Sequence, residues 1–131
     1  MSAIPQIILA PTAPGEVLDR LTILELKAQA CRTTEEKATI HLSINALTEA
    51  WRNTIGTQPQ SHPNWKALYA VNAKLWDIED RVRAFEKAQD FGPDFVEAAR
   101  SVYQTNDQRA RIKRAVNDAL GSRLVDIKFH E

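Results

Sequence analysis

The residues of this chain that could do chemistry are charged and amide side chains standing where an apolar stripe should run. Burying a carboxylate is costly unless a partner neutralises it, so these positions inform where charges on an outer face do not. Glu25 is the clearest case. At about 100° per residue it projects between Leu18 and Leu21, inside the main apolar face of its segment. Asn72, Glu79 and Glu86 lie one heptad apart along the flank of a second seam, with Trp65, Trp76 and Arg83 near that flank. Asn106, Arg109, Lys113 and Asn117 recur at spacings of three and four, replacing the stripe that Phe95, Ala99 and Val102 begin.

The three sets are complementary in sign, and two readings follow. One is a salt-bridge and amide network that fixes helix register. The other is a polar pocket between helices, the usual place for a bundle to build a binding site. In that pocket Glu25, Asn72, Glu79, Asn106, Arg109 and Lys113 bind the ligand. Arg109 and Lys113 hold a phosphate or carboxylate, and Glu25 or Glu79 orients a hydroxyl or holds Mg²⁺ through water. No catalytic residue is identified. The exposed faces of Trp65 and Trp76 are candidate interface anchors, since Trp is favoured at protein interfaces.

Other chemistries lack their parts. His41, His62 and His130 are scattered, and no Glu-x-x-His pair exists for a carboxylate-bridged metal site. His62 before Pro63 reads as a loop or cap residue. Cys31 stands at a helix end with no His nearby, the wrong setting for a nucleophile. Asp90-Phe91-Gly92 spells a kinase motif without the kinase strands and loop. Four Gly supply neither a phosphate-binding loop nor a dinucleotide fingerprint.

The elements that must position these residues are helices. Gly and Pro fall only at 5, 11, 14, 15, 56, 59, 63, 92, 93 and 121, leaving long breaker-free stretches. The first helix is expected over Glu16 to Cys31, entered through Pro14-Gly15. The second starts at Thr33, whose spacing to Glu36 fits a capping box, and runs to about Asn53. A polar loop from Gly56 to His62 follows, and Pro63 opens a third helix reaching about Gln89. Pro93 opens a fourth helical stretch, either one helix or two meeting near Thr105, where the spacing to Gln108 again fits a capping box. Gly121 is a helix stop. Leu68, Val71, Leu75, Ile78, Val82 and Phe85 form a bundle seam in the third helix, and Ile40, Ile44, Leu47 and Trp51 share a face of the second. The first helix is apolar on two sides, so it is either central or covered by a second subunit. Gln6 to Ala10 and Leu124 to Phe129 have strand length and composition, and pair as a two-stranded ribbon or remain extended arms. The expected fold is mostly α, an antiparallel bundle of four to five helices in a single domain over 1–131.

Composition bounds the function. The 131 residues carry 17 Lys+Arg and 17 Asp+Glu, net charge zero, with 44% hydrophobic residues. That is a globular average, long enough for one core. A neutral chain argues against nucleic-acid binding, of which a locally basic last helix is the weakest remaining sign. One Cys points to a reduced, cytoplasmic setting, and no run is long enough for a membrane span.

Three strings, PGEVLDRLTILELK at 14–27, VNAKLWDIEDRVR at 71–83 and ARSVYQTNDQRARIKRAVNDALGSRLV at 99–125, resemble an uncharacterised family of small, mostly bacterial domains of unknown function. The resemblance leaves out the stretch from about Cys31 to Leu68. Members of that family are often found with glycosyltransferases and surface-polysaccharide genes, which implies a cytoplasmic accessory to glycan synthesis and no mechanism. The tail departs from the pattern, with Ile127 after Asp126 where paired acids precede the Lys. The first expectation is therefore a non-catalytic interaction module, a homodimer or a partner of a glycosyltransferase, with no cofactor. The alternative is a small helical enzyme or sensor that binds a nucleotide or nucleotide-sugar with Mg²⁺ in the polar pocket.

Overall fold

The computed structural model describes residues 6–124, and every regular element among them is a helix. Four α-helices follow one another: α1 (Pro14–Ala30), α2 (Thr34–Ile55), α3 (Trp65–Ala88) and α4 (Pro93–Ala119), with one 3₁₀ turn at Pro59–Ser61. The boundaries follow local chemistry. Pro14 occupies the first turn of α1, where a missing N–H costs nothing. Thr33 caps α2: its hydroxyl accepts from the Glu36 N–H at 3.1 Å while Glu36 Oε1 accepts from the Thr33 N–H at 3.1 Å, a complete capping box. The α4 end is a Schellman motif. Gly121 takes φ of 63°, and the Ser122 N–H reaches back to the Asn117 carbonyl at 2.9 Å. The same bond pattern closes α3, but there Gln89, not Gly, accepts the left-handed φ of 56°.

α1 is the hub and packs against all three other helices. Its Leu18 and Leu21 are fully buried among Trp51 of α2, Trp65, Leu68 and Val71 of α3, and Val116 of α4. α3 and α4 form a long antiparallel hairpin whose seam continues through Leu75, Ile78 and Ala98 to an edge-on Phe85–Phe95 contact. α2 packs on α1 and on the 3₁₀ turn, so of its expected face only Trp51 is buried, while Ile40, Ile44 and Leu47 are half-buried.

Of the alternatives open for the last stretch, α4 is one helix through Thr105, that side chain being buried in the interior at 1% exposure instead of turning to cap a new start. No strand forms among the described residues: Gln6–Ala10 has no regular structure, and its side chains lie in water. The stretch 125–129 proposed to pair with it lies outside the described residues.

Candidate functional site

The polar centre of the bundle forms where α1, α3 and α4 cross. Gly15, Asp19 and Thr22 recur on α1 at steps of four and three, a small and polar stripe beside the buried Leu18 and Leu21. That stripe faces α4 and Asn72 of α3. Asp19, 3% exposed, accepts from Arg109 of α4 at both oxygens, from Nε at 2.8 Å and from an Nη at 2.5 Å. Its Oδ1 also accepts from Asn72 Nδ2 at 2.9 Å. The same Asn72 amide donates to Thr22 Oγ1 at 2.9 Å, and that hydroxyl donates to the Asp19 carbonyl at 2.7 Å. Both amide hydrogens of Asn72 and both oxygens of Asp19 are therefore occupied.

One turn back toward the start of α1, Lys113 of α4 pairs with Glu16 at 2.5 Å. Asn117 then accepts from the Gly15 N–H at 2.7 Å, satisfying a first-turn donor of α1 from across the bundle. The two backbones touch here. A β-carbon on Gly15 would strike the Lys113 carbonyl oxygen. The fork to Asp19, reinforced by the fields of Glu16 and Glu79, raises the Arg109 pKa above its usual value against the opposing effect of burial.

Of the residues proposed for a ligand pocket, the structure brings Asn72, Arg109 and Lys113 together on α1. Asn106 is half-buried one turn before Arg109 on α4. Glu79 is exposed and acts on Arg109 only through space. Glu25 is half-buried elsewhere, where its Oε1 accepts from Gln60 of the 3₁₀ turn at 3.3 Å. The acids that face the bases are Asp19 and Glu16, which sequence reasoning missed. Its signal was the Gly15-Asp19-Thr22 stripe, overlooked beside the stronger apolar faces. Trp65 is 8% exposed and belongs to the core, so it presents no anchor to a partner. Trp76 is half-buried.

The centre is joined internally: Asp19 Oδ1 accepts two donors and Oδ2 one, and the fork uses two of the five N–H groups of Arg109. Among the described residues no group of three or more His, Cys, Asp or Glu side chains converges to hold a metal. No helix among them is long and apolar enough to cross a membrane.

No curated protein and no solved structure matches the chain. One family model does, over residues 11–131, so it spans the hub helix, the cross-bundle network and the α4 stop alike. The chain belongs to that family, the family of unknown function DUF6165.

Proposed function

We propose that this protein is a non-catalytic interaction module, and that it serves glycan or polysaccharide synthesis in the cytoplasm as an accessory to a glycosyltransferase. The observation that supports the first part is the internal pairing of the polar centre. Asp19 binds Arg109 and Asn72, Asn72 also binds Thr22, and Lys113 pairs with Glu16. A phosphate that displaced Asp19 from Arg109 would leave a buried carboxylate without its partner. What the fold offers outward is apolar instead: Phe91, Val96 and Tyr103 on the α3–α4 side, and Ile7, Ile8 and Leu9 ahead of α1, all at least half exposed. The glycan context rests on the resemblance of the three sequence strings.

Thermal unfolding against phosphate, nucleotides and nucleotide-sugars, with and without Mg²⁺, tests the reading. A ligand at 100 times its dissociation constant adds about 2.7 kcal/mol of stability. The module reading predicts a flat panel, together with co-purification of a co-expressed glycosyltransferase that survives Lys113→Ala. A Mg²⁺-dependent rise in melting temperature that Lys113→Ala abolishes would overturn it in favour of the phosphate-binding alternative.

A further inference from the structure

Two apolar features lie apart from the polar centre. At the turn from α3 into α4, Phe91, Gly92, Pro93, Val96, Glu97 and Arg100 line a shallow, open groove, with Phe91 and Val96 each 50% exposed. Ahead of α1, Ile7, Ile8 and Leu9 are 75%, 90% and 92% exposed. Three successive large aliphatic side chains in water form the kind of exposed apolar run that marks an interaction site.

The segment does not occupy the groove of its own chain, since Ile7–Leu9 and the groove's Phe91 and Val96 are all exposed. Gly15 is held against α4 at Lys113 and Asn117. From Lys113 to Val96 is about 26 Å of helix at 1.5 Å per residue. To reach that groove the segment would have to double back along α4 almost fully stretched, because from Gly15 to Ile8 the chain spans about 24 Å at most. α1 runs toward the N-terminal end of α4, with Glu16 at Lys113 and Asp19 at Arg109, so α1 begins at the end of α4 away from the groove.

We propose that Ile7–Leu9 docks in the Phe91–Val96 groove of a second copy of this chain, in a reciprocal two-fold exchange. The proposal rests on the interaction-module reading and names one partner. A two-fold axis perpendicular to α4 sets the end of α4 from which the segment departs beside the end of the partner's α4 that carries the groove. Charge agrees with that antiparallel arrangement. The exposed charges at the groove end are mostly acidic, Glu86, Asp90, Asp94 and Glu97 against Lys87 and Arg100, and those toward the other end mostly basic, Arg111, Arg114 and Arg123 against Asp118. Residues 6–13 carry no charge, so docking desolvates no ion on the segment. Pro11 restricts the segment before it binds, which lowers the entropy lost on docking.

The test mixes two chains in a Cys31→Ser background, one with Ile8→Cys and the other with Val96→Cys, under mild oxidation. The exchange predicts a disulfide between the two different chains. Sedimentation of the unaltered protein should show a dimer at a concentration on the order of 100 µM, high enough to populate a weak complex made by a short segment in a shallow groove. Ile8→Asp and Val96→Glu should each weaken it at least about tenfold without moving the melting temperature, since both side chains are exposed. A monomer at that concentration with no mixed disulfide overturns the exchange, as does a dimer indifferent to both substitutions. Neither result touches the module reading, which falls only if the phosphate panel is positive.

Discussion

Replacing Asp19 with Asn keeps the shape of the side chain and removes its charge. One oxygen becomes an NH₂ group, which must face either the Arg109 guanidinium or the Asn72 amide, both donors. Breaking one partner of a buried ion pair costs about 3–5 kcal/mol because the other charge stays behind. Here the Arg109 side chain keeps 27% of its surface in water and recovers part of its hydration, which brings the expectation down to about 2–3 kcal/mol. Unfolding entropy of about 2.1 cal/mol/K per residue over 131 residues gives about 3.6 °C per kcal/mol. The melting temperature should therefore fall by about 7–11 °C in a calorimetric scan at neutral pH. Arg109→Met in the same background should recover part of the loss, with a coupling of about 1.5 kcal/mol or more between the two sites. Glu79→Gln, on the exposed side of α3, should change stability by less than about 0.5 kcal/mol. A drop below about 2 °C for Asp19→Asn, or strict additivity with Arg109→Met, would refute the claim that this fork holds α1 to α4.

Two further perturbations probe other joints. Gly15→Ala should destabilise by about 2 kcal/mol in urea unfolding. Overpacking against the Lys113 carbonyl outweighs the helix-propensity gain of about 1 kcal/mol, and a stabilised variant would mean the two backbones do not touch. His62 accepts the Asn64 N–H at Nδ1 at 3.0 Å, next to the start of α3, and partial burial lowers its pKa. Because the folded value lies below the unfolded one, its contribution is present above about pH 6.5 and is lost as pH falls below that value. His62→Asn, which keeps an acceptor, should flatten that part of the stability profile; an unchanged profile would remove His62 as its source.

The helices were legible because their signals are local. The capping box at Thr33, the stop at Gly121 and the three-four spacing of Leu68, Val71, Leu75 and Ile78 each depend on residues within a few turns. The polar centre was legible in part. The amide and cations of α3 and α4 that meet α1 could be picked out, since they interrupt apolar stripes. Their acidic partners could not. Asp19 sits beside Arg20 and reads as ordinary surface charge until the crossing of α1 over α4 turns its side inward. Glu25 has the better periodicity, yet it is met by Gln60 of the 3₁₀ turn and not by α4. Trp65 shows the converse limit. Its flank position suggested exposure, but the first turn of α3 abuts Leu18 and Leu21, where a large apolar ring gains most by burial. The spacing at Thr105 left one helix or two open, because capping is a local rule that does not register the residue's burial within α4.

The central claim is that the Asp19–Arg109 fork is part of the framework and takes no ligand. The most direct measurement is the NMR signal of the Arg109 Nε–H, which donates to Asp19 Oδ1. The account predicts a resonance that moves in Asp19→Asn and stays in place when phosphate, a nucleotide or a nucleotide-sugar is added with Mg²⁺. A saturable shift of that signal on adding any of these ligands would contradict it and return Arg109 to the role of an anion-binding residue.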